Sequence, residues 1–191
     1  EYIKHSVFSI IHIFFFALII CATSSTRAQI NSDGVPFLHN YDPKTYKAEE
    51  TNYSATQDHR GIVYIGNAEN ILEYDGQSWT KIPVPDQKLI ISLVTDDNNT
   101  VYVGAVNDFG HLITDKHGKL TYQSLSSLLP DSVEISRVWK TYASNTKIYF
   151  CTLQQIFVYD TNDKAIEIIN IPFEYNFFSF LINDNLYTGN F

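Results

Sequence analysis

The 191-residue sequence contains no Met, two Cys and eight Gly, and it is poor in cations, with 13 Lys plus Arg against 21 Asp plus Glu. Each shortage excludes something. A formal charge of -8 withholds the clustered cations that a phosphate-tracking surface needs, so nucleic acid is not an expected partner. No two glycines stand in a Gly-x-Gly arrangement, which leaves no phosphate-cradling loop, and no Gly-x-Ser-x-Gly elbow is present for a nucleophilic serine. Without Met there is no initiator, and residues 186–191 read as a strand cut short, so the chain is expected to be part of a longer product whose output activity lies elsewhere. What the chain does have is apolar: 45% hydrophobic and 15% aromatic residues are ample for a packed core in one domain or a small pair.

Lys4 and His5 precede an apolar run over residues 7–22 broken only by Ser9 and His12, and small polar residues follow. This reads as a helical secretory signal peptide over residues 1–28, with cleavage after Thr26-Arg27-Ala28. An uncleaved anchor is the alternative, since the run is at the short end of the roughly 20 residues that span a bilayer. Lipidation at Cys21 is disfavoured because Leu18-Ile19-Ile20 are bulky. Beyond Gln29 the chain is expected to be exported, with Cys151 as its one thiol and therefore no internal disulfide. That part carries 11 Lys and Arg against 20 Asp and Glu, a net of -9.

A repeat sets the expected fold. Val63-Tyr64-Ile65-Gly66, Val101-Tyr102-Val103-Gly104, Ile148-Tyr149-Phe150-Cys151 and Leu186-Tyr187-Thr188-Gly189 share one form, and their tyrosines lie 38, 47 and 38 residues apart. That period belongs to four-stranded β-propeller blades. In the second unit, residues 89–94, 100–105, 110–114 and 120–124 read as four strands, with His117-Gly118 in the last hairpin turn. Asp75-Gly76 and Thr161-Asn162-Asp163 take that place in the first and third units. A lead-in over residues 29–51 is followed by an incomplete, all-β propeller over 52–191: blades at about 52–86, 87–134 and 135–172, and the start of a fourth at 173–191. The extra length before Tyr149 falls in residues 124–134, a loop insertion with a short helical piece ended by Pro130. Three blades and a fraction do not close a ring, so the rest of the protein's own chain is expected to complete it.

No catalytic set emerges. Cys151 sits in an apolar strand where a buried, inert thiol is expected. Asp96-Asp97-Asn98-Asn99-Thr100 and Asp160-Thr161-Asn162-Asp163 resemble the opening of a calcium loop but lack its glycine and its bidentate Glu, and they fall where hairpin turns are expected. His111, Asp115 and His117 lack a second ligand pair for zinc. Neither a metal nor a cofactor is expected. The repeat tyrosines are assigned to packing between blades, while Trp79, Trp139, Phe109 and the cluster at residues 173–180 are candidate stacking platforms for sugar rings. Ligands of propellers bind where loops gather at one end of the central channel. Two loops join second and third strands here, and from them Asn107, Asp108, Phe109 and Gln154 are the candidate ligand-binding residues. For Asp108 the competing reading is a bulged turn in which it caps the backbone.

The series Gly34-Val35-Pro36-Phe37-Leu38, Asn40-Tyr41, Gln57-Asp58-His59-Arg60-Gly61, Leu72-Glu73-Tyr74-Asp75-Gly76, Trp79, Gly104 and Asp108-Phe109-Gly110-His111-Leu112 resembles the start of the periplasmic sensor region of bacterial two-component regulators of the propeller and triple-tyrosine type. Asn67-Ala68-Glu69-Asn70, which lacks an expected glycine, and Cys151, in place of Gly or Thr, depart from that pattern. The resemblance implies a non-catalytic, ligand-sensing segment on the periplasmic face of a membrane-anchored receptor. It also implies a small-molecule or oligosaccharide ligand, and a downstream triple-tyrosine domain, membrane helix and histidine kinase or DNA-binding output. A secreted propeller enzyme acting on polysaccharide and a surface interaction module are the alternatives.

Overall fold

The structure, a computed structural model, describes residues 38–172 and 178–189; the expected signal peptide, Cys21 and residues 173–177 of the aromatic cluster lie outside them. Residues from Asn40 onward form one compact unit. Its first sheet comprises β1 (Asn52–Gln57), β2 (Val63–Asn67), β3 (Asn70–Tyr74) and β4 (Trp79–Pro83). The second comprises β5 (Ile90–Thr95), β6 (Val101–Ala105), β7 (Phe109–Thr114) and β8 (Leu120–Ser124), and the third β9 (Lys140–Ser144), β10 (Lys147–Cys151), β11 (Gln155–Asp160) and β12 (Ala165–Asn170). β13 (Phe178–Ile182) and β14 (Asn185–Gly189) form a hairpin. Every strand pairs antiparallel with its neighbour in sequence. The chain is all-β, a propeller of three complete blades and half of a fourth.

Short polar side chains close the hairpins. Asp58 Oδ1 accepts from the amides of Arg60 (2.9 Å) and Ile62 (3.0 Å), and Asp96 Oδ1 does the same for Asn98 (2.9 Å) and Thr100 (2.8 Å). The Asp96 stretch that resembled a calcium loop is thus a turn in which Oδ1 of the carboxylate is engaged by backbone amides. Gly118, at φ 79°, supplies the left-handed step of the β7–β8 turn. Asn183 and Asp184, both at positive φ, make the tight β13–β14 turn.

The repeat acquires its physical meaning at the seams between sheets. First strands are neighbours across each seam, linked by short polar contacts: Thr56 to Thr95 (2.9 Å), Ser92 to Thr141 (2.7 Å), and the Tyr142 hydroxyl donating to Ser179 O (2.5 Å), with Ser144 Oγ donating to Asp184 Oδ1 (2.9 Å) in the β13–β14 turn. Along β6 and β10 the residues alternate between the preceding and the following sheet. Val101, Val103 and Ala105 pack toward the first sheet, while Tyr102 packs with Phe109, Phe150 and Phe157 toward the third. The repeat tyrosine therefore fills the outer part of the forward seam, and the small residue after it admits the next first strand. A Cβ on Gly66 would come within 2.9 Å of Ile90, and one on Gly104 within 2.7 Å of Thr141 Oγ1. Tyr64 and Tyr102 are accordingly buried, each fully buried large side chain being worth about 1.5–3 kcal/mol. Tyr187, which occupies the same position in the last hairpin, is 49% exposed and lies beside Phe180, ring to ring at 5.8 Å.

The lead-in covers the other face of the first sheet. Helix α1 (Pro43–Tyr46) is capped by Asp42, whose Oδ1 accepts from Thr45 N at 2.8 Å, and has Pro at its first turn. It sets Tyr46 against Trp79, which stacks on Tyr74 at 4.5 Å. Asn67, the first residue of the stretch that lacks the expected glycine, is fully buried and donates from Nδ2 to the carbonyls of Glu49 (2.6 Å) and Thr51 (3.2 Å), fastening the lead-in to β2.

Candidate functional site

Because successive strands run antiparallel, the connections between second and third strands share one end of the sheets with the crossings from fourth to first strands. The expected loops after β6 and β10 lie at this end, as does the crossing over residues 125–139, which runs from the outermost strand β8 inward to β9. Its helical piece is a single 3-10 turn, Ser126–Leu128.

The four candidate residues divide into two pairs. Asn107 adopts the left-handed region (φ 62°), closing a turn in which Ala105 N donates to Asp108 O at 3.0 Å, and its side chain is exposed. Gln154 is also exposed, on a loop held by Thr152 Oγ1, which accepts from Gln155 N (2.9 Å). Asp108 and Phe109 point inward. Asp108 is 3% exposed, and its Oδ1 accepts from Phe109 N (2.9 Å) and Ser124 Oγ (2.7 Å) while Oδ2 accepts from Lys88 Nζ (3.0 Å). Both oxygens are engaged, and their work is to tie the β6–β7 turn to β8 and to the strand entering the second sheet. Burial pushes the phenol of nearby Tyr122 far up, and the Asp108 charge adds to it, so that hydroxyl stays protonated. Phe109 stacks on Phe150 at 4.4 Å and approaches Phe157 at 5.0 Å, leaving no ring face for a sugar. Trp79 is likewise enclosed by Tyr41, Tyr46 and Tyr74.

Between the two exposed residues runs a segment whose importance the sequence shows only in part. Val106 bridges to Arg137, Val138 N donates to Ala105 O at 3.0 Å, and Trp139 N donates to Cys151 O at 2.9 Å. Residues 137–139 are therefore laced between the loop that carries Asn107 and the strand that leads to Gln154. Trp139 is 42% exposed, and the Arg137 guanidinium lies over its ring, 4.7 Å from the centroid. Lys140 follows, exposed. Trp139 was visible as a candidate platform; Arg137 carries no motif, and only its bridge to Val106 sets it beside the loop that carries Asn107. On the outer side of Asn107, a groove of about 790 Å³ is lined by Ser126, Ser127, Pro130, Asp131 and Glu134.

The opposite end holds a groove of about 960 Å³ touching Arg60, Glu73, Asn98, His111, Tyr159 and Lys164. Its groups do not converge. Glu73 pairs across the strands with Tyr64 and faces the first seam, whereas His111 pairs with Tyr102 and faces the second. Arg60 is already bound to Asp58, with Nε at 2.9 Å and a second nitrogen at 2.6 Å from Oδ2. Burial alone would raise the Asp58 carboxyl, but the Arg60 hydrogen bonds and the amides of Ile62 and Arg60 outweigh it and hold it below its ordinary range. Glu73 has no such partner, and burial pushes it up.

No protein-family model and no curated protein matches the chain. Solved structures do. The extracellular domain of the hybrid two-component system BT4673 from B. thetaiotaomicron superposes with a TM-score of 0.55 at 18% identity over 73% of this chain and 19% of that one. A second structure of that domain, described as a one-component system, gives 0.54 at 19% identity over the same shares. The chain shares its fold with that extracellular domain. It spans about a fifth of the length of the BT4673 domain.

Proposed function

We propose that the chain is the N-terminal part of an exported, ligand-sensing propeller belonging to a membrane receptor of the two-component type, non-catalytic in itself. The observation that carries the reading is the shared fold with the BT4673 extracellular domain, joined to an N-terminal apolar run of signal-peptide form. The ligand is a small molecule or an oligosaccharide, bound where Asn107, Gln154 and the 137–140 segment meet. Further sheets of the same polypeptide cover the exposed ring of Tyr187 and complete the propeller. Occupation of the loop end shifts the population of two sensor arrangements, and the shift is passed through the membrane to a cytoplasmic output.

The test is genetic. The gene is deleted and transcript levels are measured during growth on a panel of single carbohydrates. The receptor reading expects one gene set to lose its induction on one carbohydrate and to regain it on complementation. Transcription unchanged on every carbohydrate overturns it.

A further inference from the structure

We infer that the ligand of this loop end carries negative charge, as a carboxylate or sulfate borne on a saccharide ring. The inference rests on the sensing reading above and narrows it. Three observations converge on residues 137–140. Arg137 and Lys140 are exposed and take part in no ion pair within 4.0 Å among the described residues, where cationic side chains are outnumbered by acids and one of the few, Arg60, is already bound to an acid. The Arg137 guanidinium is held over the indole of Trp139, which limits its freedom before any ligand arrives and leaves its N–H fork for an acceptor. The segment is fixed on both sides by backbone hydrogen bonds to Ala105 and Cys151, so the Arg137 guanidinium and the indole are presented from a rigid frame, with Lys140 next in the chain at the start of β9.

The face of the indole that Arg137 leaves uncovered stacks on a pyranose through apolar contact, while the N–H fork of the guanidinium matches a carboxylate or sulfate in two places. A neutral sugar uses the first and leaves the second idle. The acids nearby, Asp131 and Glu134, stand on the outer groove beyond Asn107, whereas the crossing ends inward at Arg137 and Lys140. An anionic ring therefore settles at the inner end, away from them. Lys88 adds no free charge, since Asp108 holds its ammonium at 3.0 Å.

The full-length extracytoplasmic region is titrated calorimetrically with two matched pairs of probes: short oligogalacturonates against the same oligomers methyl-esterified, and sulfated against plain dextran oligomers. The charged member of at least one pair is expected to bind at least about tenfold more tightly than its neutral partner, and the pair that responds tells carboxylate from sulfate. Arg137→Gln abolishes that preference, Arg137→Lys keeps part of it, and added salt erodes it. The urea midpoint, unchanged in these exposed variants, shows that folding is not the cause. Equal binding of charged and neutral members sinks the inference and leaves glycan sensing standing, as does a preference that survives Arg137→Gln. Binding of neither charged probe also overturns it, and the transcription experiment then decides the sensing reading by itself.

Discussion

Placing a methyl group on Gly104 tests the account of how the sheets meet. In Gly104→Ala the new carbon meets Val138 Cγ1 at 2.5 Å and Thr141 Oγ1 at 2.7 Å, and it also runs into Ser92 Oγ. Two of those atoms are the partners of the buried Ser92–Thr141 hydrogen bond. Overpacking of a tight interior costs about 1–3 kcal/mol. Displacing the hydroxyl pair adds about 1 kcal/mol, so the variant is expected to lose about 2–4 kcal/mol, the sum of those two ranges. The control is Gly118→Ala, at φ 79° with no atom within 4 Å, where only left-handed strain of about 1–2 kcal/mol applies. Urea unfolding of the full-length protein, followed by the fluorescence of Trp79 and Trp139, reads both, and the Gly104 variant should lower the midpoint with the slope unchanged. A Gly104→Ala cost no larger than that of Gly118→Ala would refute the idea that the small residue of the repeat exists to admit the next sheet.

Two further perturbations follow from buried groups. Burial pushes the Cys151 thiol up to about 12 from an ordinary 9.0, so the folded state keeps its proton while the unfolded chain releases it; stability is intact below pH 9 and drains away as pH rises toward 12. Cys151→Ala should flatten part of that alkaline loss in urea midpoints taken across the window, and an unchanged slope counts against a buried thiol. Asp108→Ala should cost about 3 kcal/mol, near the low end for a broken buried pair because the Lys88 side chain keeps 24% of its exposure. Gln154→Ala should stay within about 0.5 kcal/mol, and similar midpoint shifts in the two variants would contradict the division of the loop residues into inner and outer pairs.

Most of the architecture was legible because it is written in a period. The tyrosine and the small residue after it recur for one reason, the packing of each sheet on the next, so spacing alone located the strands of the second sheet to within a residue or so of β5 to β8. The candidate site was legible only halfway. Sequence position put Asn107 through Phe109 on one loop but not the direction in which each side chain points, and a turn with a left-handed Asn sends its neighbours Asp108 and Phe109 into the interior. Asp108 offered both readings in advance, and its three hydrogen bonds follow the capping one. Arg137 escaped notice for a different reason: its place beside Val106 depends on a long crossing folding back between two sheets, a non-local event without a signature in the local sequence. Asn67 was noticed only as part of a stretch lacking a glycine, whereas its amide is the clasp for the lead-in.

The small position of the repeat also governs curvature. Near the axis, neighbouring sheets stand as far apart as the residue at that position permits, and farther out they are held apart by the rings of Tyr64, Tyr102, Phe109 and Phe150. The difference between these two spacings is the wedge angle of each sheet, and a ring closes when the wedges add up to a full turn. Gly66 and Gly104 set narrow inner gaps, but Cys151 brings a Cβ and a sulfur to the third seam, where it packs with Tyr142, Ile156 and Leu186. One side chain thereby fills at the third seam the place that glycine leaves open at the first two, next to the carbonyl of Cys151 on which Trp139 is hung.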